Sequence, residues 1–266
     1  TRIQDGNGDG IAIVDMGMDE LSYTPHIPAI IYVDQDASGG NNGSSWEDAF
    51  TNLSQALLNA LNGDQIWVAE GNYKPTVEYG GIGDRYISFQ LKNGVAIYGG
   101  FAGFETSLTE RDWATNLTIL SGDLGIEGDI NDNSFHVFYH PQELALDNSA
   151  ILDGFTITSG HANGPSPHQY GGGMLNINSS PTLDHITFID NRATDGGGMY
   201  NWNGASPTLN HCTFAENLTV WAGGGLYNNN SSPQLNSCSF LRNPAGISGG
   251  GMANVLYATP YVSNTI

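Results

Sequence analysis

One six-residue phrase returns four times in the second half of this chain: GGGMLN at 171–176, GGGMYN at 196–201, GGGLYN at 223–228 and GGGMAN at 249–254. The triplets therefore start 25, 27 and 26 residues apart. A fixed period of this length marks a solenoid, in which each repeat buries its apolar face only by stacking on its neighbours. Other positions keep the same beat. Ser-Pro falls at 180–181, 206–207 and 232–233, and Thr259-Pro260 follows. Leu183, Leu209, Leu235 and Val262 each sit two residues after the proline. Phe188, Phe214 and Phe240 recur every 26 residues, as do Asn191, Asn217 and Asn243, so that F-x-x-N closes three repeats as FIDN, FAEN and FLRN.

Each repeat holds three short segments, around MYN, PTL and CTF, separated by turn residues. They are too short for helices and read as strands. The fold class is therefore all-β: a right-handed parallel β-helix with three strands per coil of about 26 residues, each coil stacked on the next at about 4.8 Å. Equivalent side chains then form ladders. Met174, Met199, Leu226 and Met252 are expected to make one inward column, and the three phenylalanines another. Asn176, Asn201, Asn228 and Asn254 read as a turn ladder, as do Asp184, Asn210 and Asn236, because an amide can donate to one neighbour and accept from the other. Asn191, Asn217 and Asn243 make a further structural ladder. The glycine triplet reads as a coil corner where no side chain fits.

Upstream, LDGFTITSGHA (152–162) aligns with LDHITFIDNRA (183–193) but carries the longer loop NGPSPHQY (163–170). VAIYGGFAG (95–103) and LTILSGDL (117–124) also read as strands with glycine turns. Extending this spacing back to Ile66 gives roughly seven or eight coils. An open solenoid end exposes strand edges, so caps are expected. In SSWEDAFTNLSQALLNALNGDQ (44–65), Trp46, Ala49, Phe50, Leu53, Ala56, Leu57 and Ala60 share one helical face. This predicts a capping helix over 44–62, with Ser44 or Ser45 as N-cap and Glu47 or Asp48 completing a capping box. The chain divides into an extended segment, 1–29, and a β-helix domain, 30–266, whose regular coils occupy 150–266. At the other end PYVSNTI (260–266) matches only the start of PTLNHCT (207–213), so that coil reads as open.

Composition narrows the partners. Net charge is −20, from 27 acidic and 7 basic residues. That excludes nucleic acid, which needs clustered Lys and Arg, and an anionic membrane surface. No apolar run is long enough to span a bilayer. Acidity suits bound calcium and an extracellular protein, and suits solubility alone equally well. The chain starts TRIQDGNGDG, without Met, and reads as a processed or excised piece. Cys212 and Cys238 form neither a disulfide framework nor a metal motif. They stack in one ladder with poor disulfide geometry, so buried thiols are expected.

The pairing of GG-x-[ILVM] with F-x-x-N resembles the repeats of the polymorphic outer membrane proteins and of the wider set of bacterial right-handed parallel β-helix surface proteins. The polymorphic family usually has Ala where this chain has its third Gly. IYVDQDASGGNNGSSWEDAFTNLSQAL…GDQIWVAEGNYKPT (31–76) and GGFAGFETSLTERDW…LSGD (99–123) are similar to opening segments of the wider set. The resemblance covers roughly residues 30–266 and implies a secreted or cell-surface protein, adhesive or structural. AIVDMGMDE (12–20) is similar to a closing segment of such a domain. Ile11, Ala12, Ile13 and Val14 are then candidates to add as a strand to a neighbour's unfinished coil. The expected partners are copies of the chain or further β-helix domains of the same chain.

Two stretches are candidate calcium loops, with plain polar turns as the alternative. Asp5, Asn7 and Asp9 match the first half of a calcium loop, but Met16 stands where the bidentate Glu is expected. Asp123, Glu127, Asp129 and Asp132 form the second, in GDLGIEGDINDN (122–133). His185 and His211 fall one coil apart and read as a metal pair or as exposed turn residues. His161, His168 and Tyr170 share the long loop and are a candidate ligand site. Trp202, Trp221, Tyr200 and Tyr227 offer either a sugar-binding strip or ladder packing. No catalytic residue is assigned: the basic residues do not cluster as a uronate lyase needs, and no hydrolytic carboxylate pair stands out. Adjacent Asp190 and Glu216 read as solvent-facing. The expectation is a non-catalytic structural or adhesive module of the cell surface or extracellular space, assembling head to tail into a fibre. The alternative is a β-helix that binds or cleaves polysaccharide, with surface glycans as partners.

Overall fold

The computed structural model describes residues 26–266 and two short strands, Ile3–Gln4 and Ile13–Val14, which pair antiparallel. Of the candidate sites above, Asp5, Asn7, Asp9, Ile11 and Ala12 lie outside the described residues, whereas Ile13 and Val14 pair with Gln4 and Ile3.

Each repeat folds as one coil of a right-handed parallel solenoid. The leucine positions build an eight-stranded sheet from Ile30–Val33 to Tyr261–Ser263. The phenylalanine positions build a six-stranded sheet from Gly71–Tyr73 to Ser239–Leu241. The segment after the glycine triplet builds a five-stranded sheet from Phe138–His140 to Met252–Val255. A fourth, narrow sheet joins His161–Ala162, Arg192–Ala193 and Leu218–Thr219, just after the F-x-x-N turn. Two-residue strands there leave too little alternation to be read from pattern alone.

The registers put the repeat positions in line. Met174, Met199, Leu226 and Met252 are successive partners, as are Leu183, Leu209, Leu235 and Val262. The rings of Phe188 and Phe214 lie 4.8 Å apart and 3° from parallel, those of Phe214 and Phe240 5.0 Å and 5°. Parallel stacking at this spacing follows from the coil rise itself.

Two amide ladders run through the interior. Asn176, Asn201 and Asn228 are fully buried, and each donates Nδ2 to the Oδ1 of the next at 2.9, 2.9 and 2.8 Å, ending on Asn254. These asparagines lie within strands, not at the corners where sequence placed them. Asn191 and Asn217 repeat the arrangement at the turn after phenylalanine, donating to the next amide at 3.1 and 3.0 Å and to backbone carbonyls of the preceding coil. A buried amide is tolerated only when its groups are paired, and here both ends are.

The glycine triplet has two separate causes. Its first residue turns left-handed, with φ of +65° at Gly196. Its third meets the next coil's backbone: a Cβ on Gly173 would lie 2.5 Å from the Gly198 carbonyl oxygen.

The N-terminal helix spans Leu53–Asn59, with Asn52 as N-cap accepting from the Ser54 amide at 2.7 Å. It buries Leu53, Ala56 and Leu57 in the same core as Val33 and Ile66. The helix is shorter than the 44–62 stretch read from periodicity. Trp46 packs edge-on to Tyr32 at 4.8 Å and donates to the Glu105 carbonyl, while Phe50 bridges to Val33 as extended backbone. Ser45 Oγ accepts from the Asp48 amide, but in a turn. Among the described residues, no helix is long and apolar enough to cross a membrane.

Candidate functional site

Polar chemistry concentrates at the corner that follows the leucine strands. His185, His211 and Ser237 occupy equivalent positions there with φ of 49°, 51° and 56°, a left-handed turn that projects the side chain outward. The residues just before them stack as Asp153, Asp184, Asn210 and Asn236. Asp153 and Asp184 are thus like charges on adjacent parallel strands, an unfavourable neighbourhood unless positive groups intervene.

Two groups do. Arg111 pairs its guanidinium with Asp153 Oδ2, donates to the Asp153 and Gly99 carbonyls, and lies 4.9 Å from the Trp113 ring centroid. His185 Nδ1 stands between the two carboxylates, 3.2 Å from Asp153 Oδ1 and 3.1 Å from Asp184 Oδ1. His211 Nδ1 approaches the same Asp184 oxygen at 2.9 Å. The two imidazoles stack 4.9 Å apart, and Trp113 covers the other face of His185 at 4.2 Å. Asp184 and His185 are about half-buried, and the His211 side chain is 56 % exposed. Asp184, His185 and His211 hold their ligand atoms within 4.8 Å of one another, the one such group of three among the described residues. The histidine pair was legible in sequence, and Asp153 aligns with Asp184 in the match of 152–162 with 183–193; Arg111 and Trp113, which come from an irregular upstream coil, were not legible.

The other candidates fall apart differently. In the 122–133 loop, Asp123 Oδ2 accepts from the Gly128 amide at 2.9 Å, Asp132 Oδ2 from Ile126 at 2.7 Å and Asp129 Oδ1 from Asn131 at 3.0 Å. These bonds fold the loop on itself, and with Glu127 the carboxylates do not converge as a group of three. Asp123 Oδ1 faces the Lys74 ammonium at 3.8 Å, and Asp132 Oδ1 remains buried without a hydrogen-bond partner.

His161, His168 and Tyr170 do not form one site. His161 bonds the Ile130 carbonyl, and Tyr170 stacks on Tyr200 at 4.7 Å. His168 Nδ1 instead meets His136 Nε2 at 3.0 Å, and His136 Nδ1 bonds the Gly171 carbonyl. Burial depresses His136 to about 3, against the pull of that carbonyl. A second buried imidazole, His140, heads the strand amide ladder: Leu91 donates its amide to Nε2 at 3.2 Å, so the ring proton sits on Nδ1 and goes to Asn176 Oδ1 at 2.7 Å. Burial lowers His140 to about 4, opposed by the Asn176 bond. The register of His140 with Asn176 is invisible in the sequence because the upstream coil lacks the glycine phrase.

Tyr200 and Tyr227 continue the stack at 4.9 Å, which makes them ladder packing. Trp202 turns its edge to Tyr200 and lines a surface groove of about 440 Å³ with Tyr139, Gln142, Glu143 and Asn203. Trp221 is half-exposed and lies outside this groove. Glu216 pairs with Arg242, and Cys212 and Cys238 are free, buried thiols. Compared with protein families, curated proteins and solved structures, the chain matches none.

Proposed function

We propose that the chain is a non-catalytic structural or adhesive module of the cell surface or extracellular space, one that stacks end to end with copies of itself or with further β-helix domains. The observation behind this reading is how the fold uses its buried polar side chains. Asn176, Asn201 and Asn228, with Asn191 and Asn217, all bond coil to coil and leave no polar group aimed at a pocket. Such a rod is built for length and rigidity. Stacking is supported by the way each coil covers the next, with Leu183, Leu209 and Leu235 fully buried in one column. Cryo-imaging of the native material, with light scattering across a concentration series, tests this reading. Rods longer than one domain support it; monodisperse monomer at every concentration overturns it.

Two finer points belong with this reading. A calcium ion in the 122–133 loop is supported by Asp132 Oδ1, which is buried without a hydrogen-bond partner. A calcium-dependent rise in Tm that Asp132→Asn abolishes would bear it out. The glycan-binding alternative is favoured by the groove at Trp202, where an aromatic face meets Gln142, Glu143 and Asn203. Glycan-array signal lost in Trp202→Ala would make it the better reading.

A further inference from the structure

We infer that Asp184, His185 and His211 form a binding site for a borderline divalent transition-metal ion, Zn²⁺ being the representative, which clips two adjacent coils together. The inference does not rest on the assembly reading.

The ligand set decides the class of ion. Two imidazole nitrogens and a carboxylate oxygen suit Zn²⁺, Cu²⁺ or Ni²⁺, whereas calcium takes six to eight oxygens. Spacing agrees. With metal–ligand bonds of about 2.0–2.2 Å, ligand atoms around a tetrahedral ion stand roughly 3.3 Å apart. Asp184 Oδ1 lies 3.1 Å from His185 Nδ1 and 2.9 Å from His211 Nδ1. Opening these two contacts by a few tenths of an ångström brings both to that spacing. Asp153 Oδ1, 3.2 Å from His185 Nδ1, or a water stands ready for the fourth position.

Charge agrees as well. Arg111 already neutralises Asp153, so Asp184 brings one uncompensated negative charge to two imidazoles. A divalent ion there also relieves the like-charge contact between Asp153 and Asp184 that the parallel register imposes.

One movement is required. The two rings are 12° from parallel, so their Nδ1 lone pairs run side by side and do not meet at a point. Turning one ring about χ2 makes them converge. His211, with its side chain 56 % exposed, is free to turn, while His185 is held between Trp113 and His211. The pre-set half of the site is therefore Asp184 with His185, and His211 closes it from the next coil.

The test is isothermal titration of Zn²⁺ into the intact chain at neutral pH, with Tm followed in parallel. One ion per chain and a rise in Tm are expected, because the assembled ligand set exists only in the folded coils. Two variants keep the fold. Asp184→Asn copies the residue that already stands at Asn210 and Asn236, and His211→Asn suits the left-handed turn. Each should weaken binding at least tenfold while metal-free Tm stays near the parent value. His161→Asn, in another corner of the coil, should leave binding unchanged. Absence of saturable Zn²⁺ binding by the folded parent, or binding that survives both cluster variants, overturns the proposal.

Discussion

His140 offers the sharpest test of the interior. Its Nε2 accepts from the Leu91 amide and its Nδ1–H donates to Asn176, so only the neutral imidazole fits. The folded value is about 4, against 6.5 for the free side chain. Between these limits unfolding takes up a proton, so the folded state loses stability as pH falls below 6.5, and the residue adds no pH dependence above it. At 1.36 kcal/mol per pH unit, about pH 5 costs about 2 kcal/mol for His140. His136, held at about 3 by burial, has the same sign and adds a similar amount at that pH. The perturbation is His140→Asn. Position 140 is in register with Asn176, so an asparagine there can donate to Asn176 Oδ1 as each lower rung does to the next. Urea unfolding of parent and variant at about pH 7.5 and about pH 5 then isolates the term, because carboxylate contributions are common to both proteins. The parent should lose about 2 kcal/mol more than the variant between the two conditions. An equal loss in both would refute the account of His140 as a buried neutral donor.

Three further outcomes follow from the packing. Asn201→Leu strands Asn176 Nδ2 and Asn228 Oδ1 in the interior, and at about 1–3 kcal/mol for each orphaned group should cost about 2–6 kcal/mol in urea unfolding. Gly198→Ala places a Cβ 2.6 Å from the Gly225 carbonyl oxygen, a backbone atom that cannot step aside, and should lower stability by about 3 kcal/mol or leave the chain insoluble. Cys212 and Cys238 are fully buried, and burial pushes the Cys212 thiol up, so a thiol reagent should titrate both only after urea unfolding, with no reaction in the native state.

The regular coils were readable because their constraint is periodic. The Met, Leu and Phe positions named by spacing alone, with Asn176, Asn201, Asn228 and Asn254, found their partners in register. Legibility stops where a residue answers to a neighbour outside the period. Trp46 and Phe50 fit a helical face on paper, yet Trp46 packs on Tyr32 from a turn, Phe50 bridges to Val33 as extended backbone, and the helix starts only after Asn52. The strand asparagines looked like corner residues because Asn favours turns; burial with a matching amide above and below overrides that preference. At the candidate metal corner, sequence spacing supplied His185 and His211. Trp113, which packs against His185, comes from a coil with no shared phrase to align.

The interior amide ladder also gives the rod a direction. From the Leu91 amide through His140, Asn176, Asn201 and Asn228 to Asn254, every bond points the same way, donor toward the C-terminal coil. Asn191 and Asn217 each send one N–H forward to the next amide and one back to a carbonyl of the preceding coil, and Asn236 donates backward to Asn210. Along the His140-to-Asn254 ladder alone the side-chain dipoles add and polarise one another. A break at one rung would then weaken the bonds on both sides of it, so the ladder behaves as a single cooperative wire and not as a set of separate contacts.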